Sequence, residues 1–197
     1  MSSTSSRFSK GSGLIAWDFK AFHIISYGTF LGATFFQSFI AGPVAFKTLP
    51  RPMFSRLQQT TFPVFFWLQT ILSALTILTY PGETQVAAAG HSLRSNAGPS
   101  GLLADSNILP VALPLGAMLI TSVANLAVLG PVTTKTMKQR HHQETRDGKK
   151  SYDAGPHSPE MQRLNKKFGI LHGVSSLSNL IGWGGAMWYG LLLASRL

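Results

Sequence analysis

Residues Ala21–Phe46 read AFHIISYGTFLGATFFQSFIAGPVAF and contain no Asp, Glu, Lys or Arg. A helix rises about 1.5 Å per residue, so an uncharged run of more than about 18 residues can cross a hydrocarbon core of about 30 Å. Three further apolar runs follow along the chain. We therefore predict an all-α integral membrane protein, a four-transmembrane-helix bundle built from two helical hairpins, with spans at about 22–46, 57–80, 106–132 and 168–195.

The composition agrees with this prediction once it is considered segment by segment. Charged residues make up only 12 % of the chain, about half the usual share in soluble proteins, and they lie almost entirely outside the four runs. The chain has no Cys, which excludes disulfides, thiolate metal sites and thiol nucleophiles. We expect no catalytic residue, no metal, no cofactor and no nucleic-acid partner.

The distribution of Lys and Arg predicts the orientation. Most of these residues fall in two connections, the one after the first span and the basic loop 133–167 after the third, and positive loops stay in the cytosol. The polar N-terminal tail 1–21, the Pro81–Asp105 loop and the C-terminus then lie on the opposite side. We expect an endomembrane or plasma membrane protein, although the Ser-rich, basic tail leaves a mitochondrial membrane open. The basic loops are expected to attract anionic lipids of the bilayer.

A short internal repeat links the ends of the first and third spans. Residues 42–48 read GPVAFKT and residues 130–136 read GPVTTKT, so both follow G-P-V-x-x-K-T. Each copy ends the first helix of a hairpin, and we interpret the chain as two parallel hairpins related by an axis along the membrane normal. Pro43 is expected to kink or end the first helix.

Small residues at G-x-x-x-G spacing occur in two spans, at Gly28 and Gly32 and again at Gly169 and Gly173. Such pairs let helix backbones approach closely in a membrane. They predict a tight bundle and leave association into a homo-oligomer open.

The polar side chains inside the spans indicate where a site could lie. His172, Ser175, Ser176 and Asn179 follow i, i+3, i+4, i+7 and therefore share one helical face. Such a face either forms hydrogen bonds between helices or lines a pocket, and both interpretations stay open. His23 lies near the opposite end of the predicted bundle, so a site shared by His23 and His172 is disfavoured.

Three segments resemble the transmembrane protein 205 family. Residues 49–54 read LPRPMF, Gln58 follows, and residues 61–66 read TFPVFF, similar to that family's L-P-R-x-x-F, Q and F-P-x-Y/F-F pattern. Phe168 followed by HGVSSLSNL at 172–180 is similar to its F-x-x-x-H-G-x-S-S-L-x-N-L, and GPVTTKTM at 130–137 to its P-x-T-T-x-x-M. The resemblance covers Phe22–Leu193. It implies a small four-helix membrane protein without an established catalytic residue, whose animal members are associated with resistance to platinum drugs and with vesicular export.

We interpret the chain as a non-catalytic membrane factor that binds a lipid or a partner protein and is linked to vesicle traffic or drug tolerance. A small oligomeric transporter or channel is one alternative. A second is a cofactor-independent membrane oxidase of the anthrone-oxygenase-like type, with His172 as the base. The predicted ligand-binding residues share the cytosolic side and are His172, Ser175, Ser176, Asn179, Arg51 and Gln58.

Overall fold

The computed structural model describes residues 19–86, 92–95 and 97–195, so most of the predicted N-terminal tail lies outside the described residues. The helices and strands occur in the following order: α1 (Phe19–Phe35), a π-helical segment (Phe36–Ala41), α2 (Gly42–Thr48), α3 (Arg51–Leu78), β1 (Glu83–Val86), β2 (Ser92–Ser95), α4 (Gly98–Gly101), a second π-helical segment (Ile108–Ala112), α5 (Leu113–Ala124), a third π-helical segment (Asn125–Leu129), α6 (Gly130–Asp147) and α7 (Pro159–Ala194).

Three continuous helices in the described part of the chain are long and apolar enough to cross a membrane: Phe19–Thr48, Arg51–Leu78 and Ile108–Asp147. Large apolar side chains such as Val64, Ile120 and Leu191 face outward, as expected for surfaces in contact with lipid. These helices indicate a membrane-embedded protein. Three helices, not the predicted four, meet this description, because α7 is interrupted by Gly, Ser, Asn and Trp residues that reduce its hydropathy.

The fold is almost entirely helical, with one small exception to the all-α prediction. The antiparallel pair β1–β2 lies in the connection after α3, where Glu83 pairs with Ser95 and Val86 with Ser92. We call the end of the bundle that carries this pair the hairpin end. The opposite end, which carries the connections after α2 and after α6, is called the basic end.

The predicted basic loop 133–167 is helical over most of its length. Helix α6 continues to Asp147, and α7 already begins at Pro159, so only residues 148–158 connect them. Gly148 ends α6 with a left-handed φ of 63°, and the Ser158 hydroxyl accepts a hydrogen bond from the Met161 amide at the start of α7. The 40 residues of Ile108–Asp147 form a helix about 60 Å long, roughly twice the thickness of a hydrocarbon core. The basic half of α6 therefore extends beyond the apolar region, together with the first turns of α7.

Each π-helical segment ends two residues before a proline, at Pro43, Pro114 or Pro131. A proline ring clashes with the carbonyl four residues earlier and cannot donate a hydrogen bond, and the wider π turn relieves that clash without ending the helix. The first helix accordingly continues past Pro43 to Thr48 and does not end at this proline.

The two copies of the G-P-V-x-x-K-T repeat have the same local structure. The Gly42 amide donates to the Gln37 carbonyl, and the Gly130 amide donates to the Asn125 carbonyl, in both cases five residues back. A Cβ at Gly42 would lie 3.1 Å from that carbonyl oxygen, and one at Gly130 only 2.7 Å. A glycine thus eases the close approach of the chain to this carbonyl in the two repeat copies, whereas Leu113 holds the equivalent position before Pro114.

Close helix packing depends on glycines other than those of the G-x-x-x-G pairs. A Cβ added at Gly182 or Gly185 of α7 would collide with α5, whereas one added at Gly28, Gly32, Gly169 or Gly173 would meet no atom within 4 Å. The prediction that these two pairs tighten the bundle is therefore wrong for the single chain. These four glycines are exposed on the outer surface of the bundle.

A polar cluster closes the hairpin end of the bundle. His23 of α1 is fully buried, and its Nε2 lies 2.6 Å from the hydroxyl of Tyr189 in α7. Its Nδ1 lies 3.4 Å from the Thr79 hydroxyl at the end of α3, and the rings of Tyr80 and Tyr189 pack edge-on against the imidazole. This cluster joins three helices, and it places His23 far from His172, which lies near the basic end.

Candidate functional site

A cavity of about 500 Å³ lies towards the basic end of the bundle, between α2 and α3 on one side and α6 and α7 on the other. This volume is in the range of pockets that bind drug-sized ligands. Its walls combine five phenylalanine rings with polar side chains contributed by four helical elements. They comprise Gln37, Ser38, Gly42, Pro43, Phe46, Phe54, Gln58, Gln59, Phe62, Phe66, Gly130, Thr133, Thr134, Met137, Phe168, His172, Ser175, Ser176 and Asn179.

Five of the six residues predicted to bind a ligand line this cavity. Gln58 enters from α3, and the four members of the α7 stripe enter from the opposite wall: His172, Ser175, Ser176 and Asn179. The sixth, Arg51, lines an adjoining smaller pocket. The structure therefore brings the two predicted segments, one in each hairpin, to the same place.

The α7 stripe is divided between two roles. The Ser175 hydroxyl donates to Asn125 Oδ1 over 2.7 Å, and Asn125 Nδ2 donates to Asn179 Oδ1 over 3.1 Å. Asn125 is completely buried, so these bonds join α7 to the third π-helical segment. His172 and Ser176, in contrast, are exposed to the cavity. Half of the stripe is thus engaged in helix packing, and the other half faces open space.

Gln58 contributes a buried polar side chain to the cavity wall. The residue is only 6 % exposed, and among the described residues its Oε1 has no hydrogen-bond partner. An unpaired buried polar atom costs about 1–3 kcal/mol, and more in a membrane where water is scarce. This oxygen has almost no accessible surface, so a ligand in the cavity would reach it only after the side chain turns towards the cavity.

A column of stacked side chains connects the cavity with the basic end. The ring of His172 lies parallel to that of Phe168, with 5.8 Å between their centroids and 3° between their planes. On α6, the guanidinium carbon of Arg140 lies 4.5 Å from the Phe168 centroid, within reach of a cation–π interaction. Phe168 consequently separates the imidazole of His172 on the cavity side from the guanidinium of Arg140 on the basic side.

The smaller pocket, of about 240 Å³, lies at the basic end and shares walls with the cavity. Phe46, Phe54, Met137 and Phe168 line both spaces. The remaining walls of the smaller pocket are mostly polar or charged: Arg51, Pro52, Ser55, Arg140, His141, Glu144, Lys150, Ser151 and Tyr152.

Hydrogen bonds fix the charged groups of the smaller pocket. Arg140 Nε donates to Asn165 Oδ1 over 2.8 Å, and Asn165 Nδ2 donates to the Ser151 carbonyl over 3.1 Å. The Ser151 amide and hydroxyl both donate to Glu144 Oε1. The other carboxylate oxygen of Glu144 lies 3.7 Å from the Lys150 ammonium. The connection 148–158 is therefore held against α6, and the Arg140 guanidinium is oriented by a neutral amide.

The sequence does not single out two residues that matter for this region. Asn125 is an isolated polar residue within the third apolar run, and Arg140 is one of many basic residues in the segment 133–167. Arg140 could not be found because the basic segment was expected to be a loop, whereas a helical prediction would have placed it one turn from Met137. Gln37 carries a signal in the repeat, since it holds the same position before Gly42 that Asn125 holds before Gly130.

The arrangement suits binding better than acid–base chemistry between paired groups. The cavity combines aromatic walls with His172, Ser176 and the side chain of Gln58, and its extension carries Arg51 and Arg140. The apolar part of a ligand could occupy the cavity, and its polar part could contact Arg51 and Arg140.

Two comparisons relate the chain to known proteins. The chain is similar to Xanthocillin biosynthesis cluster protein D of Aspergillus fumigatus, with 28% identity over 176 residues, which cover 89% of this chain and 89% of the relative. No solved structure matches it. A family model described as a domain of unknown function (DUF4149) matches residues 25–142, a stretch that covers the second long helix, most of the first and third, and both copies of the repeat. Because this match covers more than half of its length, the chain belongs to the DUF4149 family.

Proposed function

We propose that this chain is a non-catalytic, multi-pass membrane protein that binds a lipid-like small molecule in the cavity between α2, α3, α6 and α7. The cavity of about 500 Å³ is the observation that carries the proposal, because it joins phenylalanine rings with polar side chains from several helices and is large enough for a ligand. The protein spans the membrane four times, with α7 as the fourth helix and the basic end in the cytosol.

The similarities support a role with small molecules. The name of the Aspergillus relative connects that protein with a biosynthesis cluster, which agrees with a small-molecule ligand. The segments that resemble the transmembrane protein 205 family include Arg51, Gln58 and the α7 stripe. Animal members of that family are associated with drug resistance and vesicular export, which agrees with a small-molecule ligand.

Native mass spectrometry of the protein extracted in gentle detergent tests the proposal. We expect the wild type to retain a small molecule, and we expect Gln58→Leu and His172→Ala to lose it. Gln69→Leu is the matched control, because Gln69 lies on the same helix, is equally buried and also has an unpaired Oε1, but does not line the cavity. Loss of the ligand in the control as well, or no ligand in the wild type, would contradict the proposal.

A second candidate function is an oxidase that uses His172 as a base, and the exposure of His172 to the cavity favours it. An oxidase would alter its ligand, so the mass of the molecule released from the wild type would change after incubation in air. An unchanged mass would retain the binding function and exclude this alternative.

A further inference from the structure

The smaller pocket at the basic end contains more cationic than anionic groups. Its charged side chains are Arg51, Arg140, Lys150 and Glu144, and His141 also lines it. Glu144 lies 3.7 Å from the Lys150 ammonium and also attracts the Arg140 guanidinium, so one carboxylate faces several cations. The pocket therefore keeps a positive net charge, and Arg51 and Arg140 are the guanidinium groups that line it.

Both arginines are held by aromatic rings that also line the cavity. The Arg51 guanidinium carbon lies 3.8 Å from the centroid of Phe46, and that of Arg140 lies 4.5 Å from the centroid of Phe168. Stacking on a ring fixes the plane of a guanidinium and leaves its edge available for a planar anion. The hydrogen bond from Arg140 to Asn165 uses only Nε, one of the five N–H groups that an arginine donates.

The two spaces therefore have complementary chemistry and a common wall. The cavity is lined by Phe46, Phe54, Met137 and Phe168, and the same four side chains line the pocket that contains the arginines. A molecule that occupies both would need an apolar body and an acidic end. The half-buried position of Arg140 strengthens a charge-assisted hydrogen bond relative to one in water.

We propose that the ligand is an acidic amphiphile, whose carboxylate or phosphate is bound by Arg51 and Arg140 while its hydrocarbon portion occupies the cavity. This inference rests on the proposed function, since it specifies the chemical class of the molecule that the cavity binds. The acidic group lies at the basic end, at the depth of lipid headgroups. The Gln58 side chain then lies alongside the body of the ligand.

Matched pairs of lipids test the acidic group separately from the hydrocarbon chain. Oleic acid is compared with oleyl alcohol, and dioleoyl phosphatidic acid with dioleoylglycerol, in titrations of the purified full chain followed by native mass spectrometry. We expect each acid to bind at least tenfold more tightly than its neutral partner, since hydrogen bonds to charged groups are worth roughly this factor or more. The acid that binds more tightly identifies the source, a membrane phospholipid or a free fatty acid.

Charge-matched variants test the assignment to two arginines. The double variant Arg51→Gln/Arg140→Gln should lose at least about tenfold in affinity for the acids and keep its affinity for the neutral lipids. The control Lys135→Gln/Lys138→Gln removes the same charge from exposed positions of α6 that line neither space, and it should bind as the wild type does. Arg51→Gln alone provides the test if the double variant does not fold, because Arg51 is exposed.

The possible failures are distinct. Equal affinity for acids and neutral lipids in the wild type would overturn the acidic-amphiphile inference and leave the cavity as a binding site. An equal loss in the lysine control would show general attraction to a basic surface and would overturn the assignment to Arg51 and Arg140. Binding of none of the four lipids, together with no retained molecule in the extracted wild type, would remove the proposed function itself.

Discussion

At the scale of single residues, Asn125 and His172 represent two uses of polar side chains within one bundle. Asn125 is fully buried and hydrogen-bonded to Ser175 and Asn179, whereas His172 is exposed to the cavity and stacked on Phe168. A buried amide that donates and accepts between helices stabilises their packing. A ring exposed to open space contributes little to the fold and is available to a ligand.

Replacement of Asn125 by Ala should therefore reduce stability without directly removing a ligand contact. The variant loses two interhelical hydrogen bonds of about 0.6 to 1.7 kcal/mol each and leaves Asn179 without its donor, so we expect a decrease of about 1–3 kcal/mol in the free energy of unfolding. Thermal unfolding in one detergent measures the change. His172→Ala is the control and should unfold at the wild-type temperature, so a similar decrease in both variants would contradict this division of roles.

The sequence predicts the shared face of the α7 stripe, but it does not predict which of its members are engaged. Spacing of three and four residues places His172, Ser175, Ser176 and Asn179 on one side of any α-helix, whatever surrounds it. The partner of Asn179 depends on the rotation of the neighbouring helix, which is set by packing across the whole bundle. Arg140 and Asn165 meet for the same reason, although 25 residues separate them in the chain.

At the scale of helices, glycine positions determine how closely α5 and α7 approach. A Cβ at Gly185 would lie 2.9 Å from the Pro114 carbonyl oxygen, and one at Gly182 would lie 2.6 Å from the Thr121 hydroxyl. Pro114 follows a π-helical segment, so its carbonyl belongs to the first turn of α5. The close approach of α5 and α7 is thus coupled to the irregular turn.

Adjacent glycines of α7 allow a sharp test of this packing. Gly185→Ala should decrease the free energy of unfolding by about 1–3 kcal/mol, because the new methyl group collides with backbone that cannot rotate away. Gly184→Ala should leave it unchanged or increase it by up to about 1 kcal/mol, because a Cβ there meets no atom within 4 Å and alanine favours a helix. Thermal unfolding of both variants under the same conditions measures the difference. Equal stability of the two would show that α5 and α7 do not approach as described.

Helix ends are the feature that hydropathy predicts least well. The apolar runs predict a third span that ends near residue 132, yet the helix continues to Asp147. Hydropathy marks where a chain leaves the membrane, and helix propensity with capping residues decides where the helix stops. Lys, Gln, Arg and Glu residues favour a helix in water, so the charged segment extends α6 until Gly148 adopts a left-handed conformation.

At the scale of the whole molecule, the two ends of the bundle differ in their chemistry. The hairpin end is closed by the His23, Thr79 and Tyr189 contacts, which join three helices. The basic end contains the cavity and, beyond the apolar part of the helices, the pocket with Arg51 and Arg140. A ligand would therefore enter the bundle at its basic end. The side of the membrane that this end faces consequently determines from where a ligand can bind.

The orientation and the fourth span can be tested together with single cysteines, since the natural chain contains none. Ser100→Cys and Ser195→Cys place a thiol at the hairpin end, and Asp153→Cys places one at the basic end, all at exposed positions. Helix α7 is about 54 Å long, and near its C-terminus Tyr189 contacts His23 of α1, so we expect it to cross the membrane. In sealed vesicles whose cytosolic face points outward, a membrane-impermeant maleimide should label Asp153→Cys but not Ser100→Cys or Ser195→Cys, because basic loops remain in the cytosol. Labelling of all three after permeabilisation is the control. If Ser195→Cys were instead labelled in the sealed vesicles together with Asp153→Cys, α7 would not cross the membrane, and the cavity would have to be reassigned to a surface of the cytosolic side.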